Sequence, residues 1–214
     1  MKIDTPKISQ ELTPQKFENI FYNEDLQLEM CEIKDTIFTN KAIDKVGISN
    51  TVLKNCQFTN TDFNQIDLMD VRFETCDLSN VKMKNSSIHR VEFVDCKLVG
   101  CEFPESSIGN VKFESTNLDW SSFSEAKLEK VLFQESSLQN ADFYRCQFKK
   151  VRYDACNLND ANFEDTFLKG VDIRTSEFQS LHVSMEALKG CKVSSHQAVQ
   201  FATLMGLIIK DEFN

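Results

Sequence analysis

The feature that most constrains this chain is an apolar period of five residues. Every fifth residue from Leu28 to Val193 is apolar. An α-helix repeats about every 3.6 residues and a β-strand about every two, so neither element keeps one apolar register over such a length. Short fixed periods are instead typical of solenoids, whose units pack on their neighbours. The period predicts a repeated corner and divides the chain into an N-terminal cap at 1–25, a repeat region at 26–193 and a C-terminal segment at 194–214.

A second period, of twenty residues, lies over the first. Similar triplets begin at every twentieth residue, and they are VRF at Val71, VEF at Val91, VKF at Val111, VLF at Val131 and VRY at Val151. Four five-residue units therefore complete one coil with four faces. The backbones of successive coils would pair as parallel strands about 4.8 Å apart. We expect an all-β fold, a right-handed quadrilateral parallel β-helix, followed by a short C-terminal helix.

Asn or Gly recurs two places after many of the large apolar residues. These residue types adopt a positive φ with the least strain, and a tight corner often demands it. We therefore expect corners at Asn40, Asn50, Asn55, Asn60, Asn80, Asn85, Gly100, Asn110, Asn140, Gly170 and Gly190.

All eight cysteines stand two places before a large apolar residue, a position that small and β-branched residues otherwise share. They are Cys31, Cys56, Cys76, Cys96, Cys101, Cys146, Cys156 and Cys191. A free cysteine buries readily as a small apolar side chain, so we interpret them as core residues. The alternative is a thiolate zinc site, but its close cysteine pairs, such as CxxC, do not occur. The sequence predicts no metal and no cofactor.

The charge balance limits the classes of partner. The chain has 24 basic and 33 acidic residues, a formal net charge of −9. Binding to phosphates needs a basic surplus, so we expect neither direct nucleic-acid binding nor attachment to an anionic membrane. The N-terminal sequence has no apolar leader, and no stretch is long and apolar enough to span a membrane. We therefore expect a cytoplasmic protein.

Motifs for catalysis are missing from the sequence. The three histidines, His89, His182 and His196, stand at unrelated positions of the coil. No HExxH, Walker or GxGxxG motif occurs. The adjacent acids Glu164 and Asp165 face outward at a corner, where neither would be desolvated. We predict that the protein is not an enzyme and has no catalytic residues.

The C-terminal segment has helical periodicity. Ser195 is a candidate N-cap for a helix that runs to Met205 and is terminated by Gly206. One interpretation is a lid on the last coil. The other is a homodimer interface, because the segment is more apolar than a lid requires. The residues of that interface would be Ala198, Phe201, Ala202, Met205, Leu207, Ile208 and Ile209.

The outward charges can be sorted by face because the register is fixed. The acidic face, at residues 42–45, 62–65 and every twenty residues onward, has eight acids against four bases. The basic face follows it at 47–50, 67–70 and onward, with seven bases against three acids. One interpretation is ordinary solvated surface. The other is a partner-binding acidic stripe formed by Asp62, Glu102, Glu105, Glu125, Asp142, Glu164 and Asp165.

Several five-residue windows resemble the A(D/N)LXX consensus of the pentapeptide repeat family. They include ADFYR at Ala141, ANFED at Ala161, CDLSN at Cys76 and CNLND at Cys156. Within the family the chain resembles the Qnr and MfpA group, and most of all the Qnr proteins of Gram-positive bacteria. The segments that carry this resemblance are VRFETCDLSN, HRVEF, FLKGVD and the tail SSHQAVQFATLMGLII.

This resemblance implies a dimeric rod that binds DNA gyrase or topoisomerase IV and protects it from fluoroquinolones, with DNA mimicry as one mode of binding. The loops of Gram-negative Qnr proteins are absent here, since no insertion breaks the register. Net charge alone mimics DNA poorly, because roughly 80 Å of duplex carries about 47 charges. Two copies of this chain carry about twice −9. The repeats alone equally permit a scaffold for a different protein partner.

Overall fold

The protein is a rod of stacked twenty-residue coils. The computed structural model describes residues 2–22 and 25–210. Parallel pairing joins residues twenty positions apart along the rod, so that Leu68 pairs with Ile88 and Ile88 with Ile108. This register confirms the parallel β-helix and its four-sided coil, because the chain returns to the same face after every fourth pentapeptide.

The strands run around the coil and not along the rod. Six of them, β4 to β9, are eight residues long and cover two faces each, because they bend at a corner near their middle. Isolated bridges such as Asp62 to Lys82 and Asp77 to Lys97 join the other two faces. In chain order the strands are β1 (Thr13–Gln15), β2 (Gln27–Glu29), β3 (Cys31–Lys34), β4 (Gly47–Lys54), β5 (Asp67–Glu74), β6 (Ser87–Val94), β7 (Ser107–Glu114), β8 (Lys127–Gln134), β9 (Gln147–Asp154), β10 (Ala161–Asn162) and β11 (Leu181–His182).

The corners have left-handed backbone, as the Asn and Gly pattern predicts. Every Asn and Gly predicted at a corner has a positive φ. The same conformation occurs where the sequence gives no such signal, as at Thr75 (φ 54°) and Trp120 (φ 61°). The corner amides are paired with the next coil, and Asn60 N–H donates to Ser79 O at 2.9 Å. Inter-coil hydrogen bonding therefore holds the corner shape at residues that do not favour it.

Two ladders of aromatic rings fill the centre of the rod. The rings of Phe93 and Phe113 stack with centroids 5.0 Å apart, and those of Phe123 and Phe143 with centroids 4.9 Å apart. The ladders meet edge to face, as between Phe123 and Phe133 at 5.9 Å. Both arrangements are favourable for aromatic rings. The twenty-residue period thus places each ring on its equivalent in the next coil.

The small inward residues accept hydrogen bonds as well as fill space. The N–H of Cys56 donates to Cys76 Sγ at 3.4 Å, and the N–H of Cys146 donates to Thr166 Oγ1 at 2.8 Å. These amides point into the core, where an unpaired N–H would be costly. This need explains why Cys, Ser and Thr share the position. All eight cysteines are free, and all except the half-buried Cys191 are buried.

A short 3₁₀ helix, Phe17–Tyr22, covers the first coil. β1 pairs with β3 and leads the chain to this position. Phe17 is fully buried, with its ring centroid 4.8 Å from that of Phe38 and 5.0 Å from that of Phe58. The helix therefore shields apolar side chains that would otherwise be open at the end of a solenoid.

The helix α1 (Ser195–Leu204) closes the other end of the rod. Its N-cap is Ser194 and not the predicted Ser195, because Ser194 and Gln197 form a reciprocal capping box. The Gln197 side chain also donates to Ile173 O and Ser176 O, both at 2.7 Å. Within the predicted terminal segments, residues 1, 23, 24 and 211–214 lie outside the described residues. In residues 2–22 and 25–210, no helix is long and apolar enough to cross a bilayer.

Candidate interaction surface

The acidic face presents the seven stripe residues along one side of the rod. Inter-coil bridges place Asp62, Glu102 and Asp142 in one axial row. Glu105 and Glu125 occupy a second row at the corner, both with left-handed backbone. Successive members of a row that are one coil apart are separated by about 4.8 Å. The fold thus brings together acids that are up to a hundred residues apart in sequence.

Three of the stripe acids already have a cationic partner on the same face. The three ion pairs, which are named at the end of this paragraph, are largely exposed. Each therefore contributes little to stability, but each neutralises one negative charge of the stripe. Arg145 also lies over the ring of Tyr144, 4.8 Å from the ring centroid, a contact that the sequence did not indicate. The pairs are Asp62–Lys82, Glu105–Lys84 and Asp165–Arg145, each at 3.2 Å.

Three other acids of the stripe keep their charge unpaired. Glu102, Glu125 and Glu164 are exposed, and none forms an ion pair within the described part of the chain. Asp142 accepts only from neutral groups, the Tyr144 N–H at 3.1 Å and the Asn162 amide at 2.9 Å. The effective negative charge of the face is therefore concentrated between residues 102 and 164.

On the basic face, four of the seven bases form an ion pair within the described residues, namely Arg90, Lys130, Lys149 and Lys189. Arg90 donates to both carboxylate oxygens of Asp70, at 2.6 and 2.7 Å, and this interaction holds the pKa of Asp70 below its usual range. Lys149 Nζ lies 2.6 Å from Glu129. A paired cation attracts a new anionic partner less strongly. Pairing of this kind reduces the charge that the basic face can offer to a partner.

Residues 2–12, the N-terminal strap, lie along the corner of the basic face instead of over the end of the rod. The corner column supplies one side chain per coil, and the strap contacts members of that column from Lys130 down to Asn50. Its backbone amides are satisfied by side chains far away in sequence. The contacts are Asp4 N–H to Asn110 Oδ1 (3.2 Å), Lys130 Nζ to Asp4 Oδ2 (3.0 Å), Lys7 N–H to Asp70 Oδ1 (2.8 Å) and Ser9 N–H to Asn50 Oδ1 (2.7 Å).

The predicted interface residues at the C-terminus divide into two groups. Phe201 is buried and packs on Phe178, with ring centroids 5.1 Å apart, so it holds α1 to the rod. Ala202 is half-buried. The remaining predicted residues are exposed, as is Val199, which the sequence analysis missed. The exposed predicted residues are Ala198, Met205, Leu207, Ile208 and Ile209.

An apolar groove of about 240 Å³ lies between α1 and the last coils of the rod. Met185 at its edge and Met205 are both exposed. The exposed tail Leu207–Ile209 follows directly after the helix, so that an apolar segment and an apolar groove occur at the same end. The groove is lined by Leu181, Val183, Met185, Leu188, Phe201 and Met205.

Two buried cysteines beneath this part of the rod, Cys146 and Cys156, are unsuited to chemistry at the surface. Burial raises the pKa of the Cys146 thiol to about 12 and that of the Cys156 thiol to about 11, so both remain protonated at neutral pH. Among residues 2–22 and 25–210, no group of three or more His, Cys, Asp or Glu side chains could hold a metal ion. The surface features that remain are charge, shape and exposed apolar groups.

Comparison with known families agrees with the coil. A sequence profile of the pentapeptide repeat region matches residues 66–143. The matched stretch lies within the four-sided coil described above, whose faces are each one pentapeptide long. The chain therefore contains a pentapeptide repeat region over residues 66–143. No curated protein sequence matches it.

Solved structures of similar fold include QnrB1, a plasmid-mediated fluoroquinolone resistance protein. One trypsin-treated variant of QnrB1 has a TM-score of 0.53 and 19% identity, covering 94% of this chain and 100% of that one. A second has a TM-score of 0.47 and 21% identity, covering 84% and 100%. A pentapeptide repeat protein from the Arabidopsis thaliana thylakoid lumen has a TM-score of 0.41 and 14% identity, covering 44% and 67%. At 19% identity, the likeness to the first of these structures shows the fold alone.

Proposed function

We propose that this protein binds DNA gyrase or topoisomerase IV, catalyses no reaction itself, and protects the bound enzyme from fluoroquinolones. The observation that carries the proposal is that three acids on one face of a long rod, Glu102, Glu125 and Glu164, form no ion pair within the described residues. A surface that binds duplex DNA is basic, because phosphate contacts dominate its affinity. The basic DNA-binding surface of a topoisomerase would therefore be complementary in charge to the acidic face of this rod.

Two likenesses support this choice of partner. The tail from Ser194 to Ile209 and the Qnr-like repeats resemble the Qnr group in sequence. The fold is that of QnrB1, which is a fluoroquinolone resistance protein. With only three of the seven stripe acids free of both a cation and a fixed hydrogen bond, mimicry of DNA by this face depends on local placement and on rod shape. It does not depend on charge density.

The test is gyrase supercoiling in the presence of ciprofloxacin, with and without the protein. The expected result is partial relief of inhibition, together with recovery of gyrase in a pull-down. Neither relief nor pull-down of gyrase or topoisomerase IV would reject the proposal and leave a scaffold for another protein partner.

A pair of triple variants tests the role of the unpaired acids. The test variant carries Glu102→Gln, Glu125→Gln and Glu164→Gln. The matched control carries Asp62→Asn, Glu105→Gln and Asp165→Asn, which removes the same formal charge from acids that already have partners. We expect the first variant to lose more gyrase affinity than the control. Equal losses would mean that only net charge matters, and no loss in either would exclude this face.

We further propose that two copies associate through the C-terminal end, with Leu207–Ile209 of one copy in the apolar groove beside α1 of the other. Ile208 is 86% exposed, which is unfavourable for an isolated chain. Light scattering should give a dimer for the wild type and a monomer for Ile208→Lys. The control is Met69→Lys, which changes an exposed apolar residue on the basic face and should remain dimeric. A monomeric wild type would reject the dimer.

A further inference from the structure

Trp120 stands in a corner column that otherwise has short side chains. Side-chain amides link the first members of this column, with Asn60 Nδ2 donating to Asn40 Oδ1 at 3.2 Å and Asn80 Nδ2 donating to Asn60 Oδ1 at 3.0 Å. The ladder stops where Gly100 and Trp120 follow. The column comprises Asn40, Asn60, Asn80, Gly100, Trp120, Asn140 and Asp160.

The fold does not require tryptophan at this corner. Trp120 has φ 61°, a left-handed conformation that Asn and Gly adopt with less strain than a bulky residue. Its side chain is 67% exposed and so contributes little to the core. Its backbone N–H bond to Gln139 O, at 2.9 Å, would be made equally by an asparagine. The indole is therefore costly locally and is available to a partner.

The indole forms one end of an open groove of about 330 Å³ on the acidic side of the rod. Asn140 and Asp160 occupy the same corner in the next two coils, which puts Asp160 about 10 Å from Trp120 along the axis. The groove is therefore elongated parallel to the rod. Its walls are Trp120, Asn140, Asp160, Asn162, Glu164 and His182.

The acids of this groove have no cationic partner in residues 2–22 and 25–210. Asp160 Oδ2 accepts only from the neutral amide of Asn159, at 2.7 Å. Glu164 is exposed and forms no ion pair there. Arg145, which lies on the adjacent acidic face, is engaged with Asp165. The groove thus combines an aromatic face with two uncompensated carboxylates.

We propose that the Trp120 groove binds an extended segment of a partner protein that carries two arginines. A guanidinium stacks well on an indole face, and aromatic residues of this kind dominate many interfaces. A second guanidinium would lie between Asp160 and Glu164, where it can form charge-assisted hydrogen bonds. An extended chain covers about 10 Å in three residues, so arginines three positions apart match the groove. The inference rests on the proposed function in that it gives the basic partner a contact point.

The first test uses the only tryptophan in the chain as its own reporter. An acetylated peptide of sequence Gly-Arg-Gly-Gly-Arg-Gly is titrated while Trp120 emission is recorded. The expected result is a saturable change that weakens with added salt. The control peptide has citrulline in place of both arginines, which keeps the shape and removes the charge. No saturable change, or the same change with the citrulline peptide, would overturn the inference.

The second test measures peptide affinity by calorimetry for Trp120→Asn and for Asp160→Asn with Glu164→Gln. Asparagine already occupies this corner in other coils, so the first variant should fold. We expect about ten-fold weaker binding for each. The matched control, Phe167→Ser, removes an exposed aromatic residue from the basic face and should bind as the wild type does. Unchanged affinity in Trp120→Asn would also overturn the inference.

Gyrase pull-down with the same variants separates this inference from the proposed function. If gyrase binds the wild type and Trp120→Asn equally, the groove is not the contact point and only the inference fails. If gyrase does not bind but the arginine peptide does, the proposed partner is wrong and the groove stands. If neither binds, both fail.

Discussion

On the acidic face, the large inward positions from Phe103 to Phe143 carry the same residue type in successive coils, whereas the outward positions do not. Phe103, Phe123 and Phe143 stack inward with centroid spacings of 4.9 Å. The outward neighbours one position earlier are Glu102, Ser122 and Asp142, which share neither charge nor size. An inward ring touches its equivalents in the adjacent coils, so a change of shape disturbs both. An outward side chain meets solvent, so its identity is free to serve a partner.

The same contrast separates the strained corner residues from the core. Asparagines at the corners link to one another and fit their backbone, whereas Trp120 does neither. Departures from the repeat are therefore informative only at outward positions, where the fold does not enforce the pattern. Substitutions at neighbouring inward and outward positions, such as Phe123 and Ser122, test how sharply the two kinds of position differ.

The largest effect is expected from opening the aromatic core. Phe123→Ala removes a ring that stacks on Phe103 and Phe143 and meets Phe133 edge to face. Such a cavity should lower the free energy of unfolding by about 3–5 kcal/mol. Urea denaturation measures it. Ser122→Ala, at the outward neighbour, should change stability by less than about 0.5 kcal/mol, and similar losses in the two variants would contradict the contrast.

Alkaline pH should destabilise the rod through its buried thiols. Burial raises the folded-state pKa of Cys146 to about 12 from a usual value of 9.0. Above pH 9 the unfolded chain loses a proton that the folded chain keeps, so stability falls as pH rises from about 9 towards 12. The loss is about 1.4 kcal/mol per pH unit for each such thiol. Cys146→Ser should show a shallower decline between pH 9 and 10.5, and an identical slope would reject this cause.

The part of the fold that follows the period was predictable from sequence. The coil, the ladders and the corners depend on residues twenty apart, which the sequence shows directly. The Arg90–Asp70 pair also joins residues twenty apart, although the sequence analysis did not predict it. The hydrogen-bond role of the small inward residues was not visible, because size alone accounted for the pattern. Inward-pointing amides supply the missing reason.

The strap could not be predicted because it does not carry the period. Its backbone amides donate to single side chains such as Asn50 and Asn110. In the sequence these asparagines are explained by the corner pattern alone, so nothing marks them as contacts of the strap. For the candidate surface, sequence assigned the stripe acids to a face but did not show which of them had partners. That depends on rotamers, as with Lys84, which reaches Glu105 in the next coil.

A smaller effect, in this case an increase in stability, is expected from removing one buried hydroxyl. Tyr153 continues the Phe133 ladder with centroids 4.9 Å apart, but its hydroxyl is buried without a hydrogen-bond partner within the described residues. An unpaired buried hydroxyl costs about 1–3 kcal/mol, so Tyr153→Phe should raise the free energy of unfolding by about 1 kcal/mol or more. Thermal and urea unfolding measure it. Phe133→Tyr should have the opposite sign, and destabilisation by Tyr153→Phe would show that the hydroxyl is satisfied.

The smallest effect is expected from deleting residues 2–12. The strap makes three amide contacts and one ion pair, but its ordering costs conformational entropy that offsets most of their contribution. We expect stability to change by less than about 1 kcal/mol, while amide exchange speeds up only near the basic-face corner. A loss of several kcal/mol would place the strap in the cooperative fold. Residues 2–12 would then belong to the same cooperative folding unit as the repeat region, and their contacts with the basic-face corner would be part of what stabilises the rod.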